Sequence, residues 1–411
     1  MSTGKKLISN FSYLTAIQLV TLAVPFIYYP YIIRKYDLES YGLVVFIQSI
    51  IMLMSILVDF GFNIYGTRAA SEERDNKNNL SIIYSSITYI KLGLVVCCFI
   101  LYQVFIFFND KLSSHFVLSV SLYLIVLGEA LFSQWLYLGI EKIKFAAAIN
   151  LITRLLLLLI IIIGSNTSLG FYAFPVALIV SSLLNGLFST IFIRNKIKLK
   201  FTSVPFQRIK FDILESYSFL LSRSVGVIIL KLNTYLIGNY IGLTQVAFYD
   251  LAEKLINLLL IPLNLLNQVL YPHIAKTKKF SLTFNVIKYL FILYLIGYPI
   301  IYFYGKNIIT IFAGSEMIPA YKYFIILYFI PLSNVFTYFL GNCFLVLINK
   351  KKDFNNSIYF AAAFYLIFII INEMSVDMLC WSLVLNAVIT CVYRIISSLI
   401  NVKKLKHHEY N

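Results

Sequence analysis

Charged side chains inside apolar runs are the residues of this sequence best placed to do chemistry. In Glu215–Asp250, ESYSFLLSRSVGVIILKLNTYLIGNYIGLTQVAFYD, Arg223 and Lys231 interrupt an otherwise hydrophobic stretch. On a helix, Lys231 and Asn233 fall about 80° to either side of Arg223. A face carrying guanidinium, ammonium and amide, flanked by Gly226, suits the oxygens of a phosphate or pyrophosphate. Glu253 lies at about the depth of Lys231 and would neutralise it, so both readings stand. Two further sets share a depth: Asp59 with Lys91, and Glu129 with Arg154. These are candidates for structural ion pairs or for proton coupling, since charges inside a membrane are either paired or functional. Arg394, near the end of the last apolar run, is expected to snorkel to the surface. Trp135 and Tyr137 are expected to anchor a helix at the interface.

The elements that would carry these residues follow from composition. Sixty per cent of the 411 residues are hydrophobic and 13% are charged, which places the chain among polytopic membrane proteins. Runs of about 20 apolar residues predict spans at 8–33, 42–66, 80–108, 116–139, 145–163, 170–193, 214–240, 247–271, 282–304, 321–348, 355–372 and 377–400. Pro25 and Pro30 make the first span a candidate for bending. The formal net charge of +16 does not mark a nucleic-acid binder, because no basic stripe lies on a soluble segment. The cations sit instead in alternate loops, at Lys5 and Lys6, Arg68 to Lys77, Lys142 and Lys144, Arg194 to Lys210, Lys276 to Lys279, Lys350 to Lys352 and Lys403 to Lys406. The opposite loops carry only Arg34, Lys35, Lys111 and Lys306. That asymmetry predicts both termini on the cytoplasmic side.

The basic connection at 194–212 divides six spans from six, and the chain repeats across it. SYSFL at 216–220 follows NFSYL at 10–14, and Ile241–Tyr249 aligns with Tyr36–Val44, pairing Leu243 with Leu38 and Ala247 with Gly42. Leu270–Ala275 aligns with Tyr65–Ala70 at nearly the same offset. The expected fold is therefore all-α, with about 12 transmembrane helices in two parallel six-helix lobes around a central cavity. The lobes are residues 1–193 and 213–402, joined by the linker 194–212 and followed by a cytoplasmic tail at 403–411. The five cysteines fall in apolar runs and the four histidines are scattered. Hence neither a metal centre nor a cofactor is expected.

Phe132–Leu155, FSQWLYLGIEKIKFAAAINLITRL, resembles the Trp-x-x-x-Gly-x-Glu turn of bacterial polysaccharide transporters. These are the O-antigen (Wzx-type) flippases of the multidrug/oligosaccharidyl-lipid/polysaccharide exporter superfamily. Trp135, Gly139, Glu141 and Asn150 stand at the matching places, and Gly242, Ala247, Tyr249 and Arg68 are also similar. The resemblance extends over essentially the whole chain. It implies a flippase in the cell inner membrane, carrying a lipid-linked (polyprenyl pyrophosphate) oligosaccharide by alternating access. Its implied partners are that substrate, the membrane lipids, a polysaccharide polymerase and a chain-length regulator.

Two other functions compete. A cation-coupled drug antiporter of the same fold would need an acidic site in the first span or a dense acidic cluster, and 8–33 contains no Asp or Glu. A membrane polymerase or glycosyltransferase would need a sizeable outer loop with paired catalytic residues. The longest outer loop, at about 305–320, is too short for one, so no enzyme activity is expected.

Overall fold

The structure, a computed structural model, describes residues 23–409, leaving out the side chains at 218–219, 221–224 and 403–409. Arg223 is thus outside the described side chains, and residues 8–22 of the expected first span lie outside the described residues. No strand occurs among the described residues. Nine helices there are long and apolar enough to cross a membrane, since in lipid a helix satisfies its own backbone polar groups. Residues 23–35 are helical through Pro30. From within Phe206–Leu236, Val225–Ile241 continues as a shorter apolar helix, and Leu243–Thr277 carries Pro262 and Pro272 inside it. The molecule is an all-α polytopic membrane protein with about twelve spans.

The chain packs as two units. One comprises the residues through Asp37 together with Phe46–Ser224; the other comprises Leu38–Val45 together with Val225 onward. Two helices are thereby shared between units. Leu38–Asp59 gives its first two turns to the second unit, and Phe206–Leu236 changes unit near its middle.

In the first unit, three helices are broken or closely apposed where they meet. The second span breaks at Phe60 and Gly61, with φ of 47° and 82°, and resumes as Phe62–Glu72. Glycine accepts that left-handed conformation freely, whereas Phe60 holds it at a cost of roughly 1–2 kcal/mol. The fourth span breaks at Phe132 and Ser133, between Leu124–Leu131 and Gln134–Gly139. Gly128 lets that span touch Ala173–Phe192, because a Cβ there would overlap the Ser182 backbone.

The connection from Arg194 onward is packed onto the same unit. Ile197 and Leu199 are buried, and Phe201 lies 5.1 Å from the Tyr84 ring and 6.0 Å from that of Tyr89. The Thr202 amide donates to Ser85 Oγ at 3.0 Å. Fully buried Asp212 accepts from Tyr65 on one oxygen and from Ser86 on the other, the latter at 2.6 Å, with Arg208 Nε 3.1 Å from the oxygen that Tyr65 reaches. A buried carboxylate needs such donors.

The second unit has its own buried polar set. Tyr41 Oη donates to Asp250 at 2.6 Å, and Lys254 pairs with the same carboxylate. Gly42 packs against the Leu243 carbonyl, leaving no room for a Cβ.

Candidate functional site

The two breaks of the first unit open into one polar cavity of about 320 Å³. That volume is at the lower end of ligand pockets, which run to roughly 300–1,000 Å³. Irregular backbone at membrane depth is tolerated where it is buried in protein or lines a water-filled space. Here the break after Asp59 brings Asp59 and Asn63 to the lining, and the break at 132–133 brings Phe132 and Gln134. Ser55 and Val58 come from the turn before the first break. Lys91 comes from Lys77–Phe107, Glu129 from Leu124–Leu131, Asn150 and Arg154 from Ile143–Gly164, and Asn185 from Ala173–Phe192.

The charges expected as two pairs therefore share one lining. Lys91, 4% exposed, donates to Asp59 at 3.0 Å, and the same carboxylate oxygen accepts from Asn63 at 2.8 Å. Glu129 and Arg154 line the cavity without an ion pair inside 4.0 Å among the described residues. Each cation thus has a carboxylate in the lining, and the charge sums to zero. Such a set can hydrogen-bond polar groups of either polarity without leaving an uncompensated charge at membrane depth.

Sequence reasoning missed most of the amides. Asn63, Gln134 and Asn185 lie in or beside apolar runs, and only Asn150 was singled out, by resemblance. An amide inside a 20-residue apolar run was the available signal, since such side chains seek partners in lipid. Asn150 Oδ1 and Asn185 Oδ1 are buried with no hydrogen-bond partner among the described residues. An unpaired buried polar atom costs about 1–3 kcal/mol, and both residues line this cavity.

The Gln134–Gly139 turn is held from behind. The Trp135 ring packs on Gly66, whose added Cβ would stand 2.7 Å from Trp135 Cε3. Tyr137 Oη donates to the Ser189 carbonyl at 3.1 Å. Trp135 is 1% exposed and Tyr137 fully buried, so the expected interfacial anchors are core residues. The Trp135 ring fills the contact between Phe62–Glu72 and Gln134–Gly139, and the Tyr137 ring lies 6.2 Å from that of Phe192, contacts that short sequence spacing could not show. Glu141, at φ 57°, pairs with Arg74 at 2.8 Å.

The remaining candidates lie in the second unit. Lys231 pairs with Glu253 at 2.9 Å. Buried Asn233 donates to the Leu379 carbonyl at 2.6 Å and accepts from Tyr365 Oη. Both are engaged within their unit, and Arg223 is not described at side-chain level. Arg394 does not snorkel. It is 4% exposed, donates to Ser357 at 3.0 Å and to the Thr337 carbonyl at 2.6 Å, and lies over the Phe354 ring. The shallow depth of Arg394 in its span suggested an escape to water, but Gly341 leaves space for the guanidinium inside.

Comparison with known proteins places this geometry. Residues 7–278 match the family described as "Polysaccharide biosynthesis protein". A "Putative O-antigen transporter" of Shigella dysenteriae is 27% identical over 357 residues, covering 84% of this chain and 87% of that protein. One of the same name from Escherichia coli (strain K12) is 23% identical, covering 90% of this chain and 91% of that protein. Among solved structures, an inward-facing multidrug resistance MATE family transporter of the MOP superfamily superposes with a TM-score of 0.74 at 13% identity. The alignment covers 95% of this chain and 96% of the other. The lipid II flippase MurJ, in an inward closed conformation, gives 0.73 at 15% identity over 95% and 87%. At such identities the likeness is one of fold.

Proposed function

The chain belongs to the polysaccharide biosynthesis protein family, and on that premise we propose that it is a flippase for a lipid-linked oligosaccharide. Its relatives are named for transport, and it is not an enzyme. In this reading it works in the bacterial inner membrane with both termini in the cytoplasm, as the distribution of basic loops requires. The polar head of the cargo is exposed to each side in turn, while the lipid tail stays in the bilayer.

The observation that carries the reading is the neutral, amide-rich cavity between broken helices of the first unit. It offers a hydrated head group a polar surface at membrane depth, where bare lipid offers none. Glu129 and Arg154, neither held in a close ion pair among the described residues, are the side chains proposed to meet the cargo. Arg223 keeps its place on sequence grounds as the contact for phosphate, a bidentate fork being the best use of a guanidinium there. Lys231 and Asn233 are assigned to holding the second unit together.

The test is complementation. In a strain lacking the chain, surface polysaccharide should be lost, and the plasmid-borne wild type should restore it. Arg154→Ala and Glu129→Ala should each cut restoration at unchanged protein level, and Arg154→Lys should cut it less than Ala. Normal surface polysaccharide in the null strain would refute the reading.

A further inference from the structure

We propose that the cavity of the first unit recognises the sugar rings of the cargo through their hydroxyl groups and takes no part in holding its phosphates. The proposal rests on the flippase reading and names what the cavity holds. Charge is the first argument. Asp59 and Glu129 stand in the same lining as Lys91 and Arg154, and Lys91 already spends its ammonium on Asp59 at 3.0 Å. A multiply charged phosphate group entering here would meet two carboxylates, whereas phosphate sites gather cations and backbone N–H groups without them.

A sugar hydroxyl is both donor and acceptor, and its natural partners are groups that offer both or that alternate in polarity. The amides offer an acceptor oxygen and two donor hydrogens each, and they flank a carboxylate acceptor and a guanidinium donor. Asn150 is 8% exposed, and its side-chain oxygen has no partner among the described residues. The same holds for the side-chain oxygen of Asn185. Phe132 is also in the lining, and the C–H face of a pyranose packs on apolar aromatic surface. At about 320 Å³ the cavity is of the size to take sugar rings rather than a whole lipid-linked molecule.

The experiment uses purified full-length protein in lipid nanodiscs and two probes. One is the phosphate-free glycan released by mild acid from the lipid-linked pool of the source cells; the other is inorganic pyrophosphate. Calorimetry should show saturable binding of the glycan to the wild type. Asn150→Ala with Asn185→Ala should weaken it roughly tenfold or more, and pyrophosphate at the same concentration should leave the isotherm unchanged. If the double variant fails to fold, judged by its melting curve, Phe132→Leu and Asn185→Ala taken singly must each weaken binding measurably. Competition by pyrophosphate overturns the proposal. So does failure of the glycan to bind the wild type, or unchanged binding by the folded variants. Complementation in the null strain is scored in parallel. Restored export without glycan binding sinks this proposal alone, whereas export that never depended on the chain sinks the flippase reading itself.

Discussion

Lys91 and Asp59 show what a sequence tells about a buried charge and what it withholds. Counting residues from the ends of apolar runs put them at one depth, because depth is length times rise. Azimuth is set by packing between distant helices, so counting could not show that Glu129 and Arg154 would join them in one lining without closing a pair. For the same reason the burial of Arg394 is not legible in sequence, its partners Thr337 and Ser357 being remote along the chain. The pair itself is testable. Lys91→Met leaves Asp59, 29% exposed, without its cation, and losing the partner of a part-buried polar group costs about 1–3 kcal/mol. The single variant should therefore melt well below the wild type in detergent, and Lys91→Met with Asp59→Asn should recover most of the loss. Equal melting of single and double variants would show that the contact contributes nothing to stability.

Hydropathy made the helices legible as elements, since a run of about 20 apolar residues has few other uses. Their interruptions were not legible. The break at Phe60 and Gly61 and the break at Phe132 and Ser133 fall inside the runs 42–66 and 116–139, which hydropathy counts as single spans, and they bring residues to the cavity lining. Nor did a basic, loop-like composition reveal that the 194–212 connection packs onto the first unit through Leu199, Phe201 and Asp212. Close helix contact is the element-scale feature most open to test. Gly128→Val would drive the fourth span off the Ser182 backbone, while Gly93 has no atom within 4 Å of an added Cβ. Folded Gly128→Val protein should fall sharply on size-exclusion chromatography. Gly93→Ala should match the wild type or exceed it, alanine being the better helix former by about 1 kcal/mol.

For the whole molecule, the sequence repeat and the structure address different things. The repeat predicted lobes meeting at a linker, whereas the described chain divides within two continuous helices, at Val45 and at Ser224. A helix that belongs to two units is invisible to any analysis of linkers. Orientation in the membrane rests on the basic loops alone. Reporters fused after Lys210 and after Lys352 should behave as cytoplasmic, and one near Ser315 as periplasmic. A periplasmic signal at Lys210 would invalidate that orientation. The central claim is that this chain moves lipid-linked oligosaccharide across the membrane, and leaflet accessibility tests it most directly. In spheroplasts of a strain blocked in polymerisation, the fraction of lipid-linked glycan reached by an added, membrane-impermeant lectin should be high with the chain and fall to background without it. Arg154→Ala and Glu129→Ala should give intermediate values. An accessible fraction that is the same with and without the chain would contradict the account.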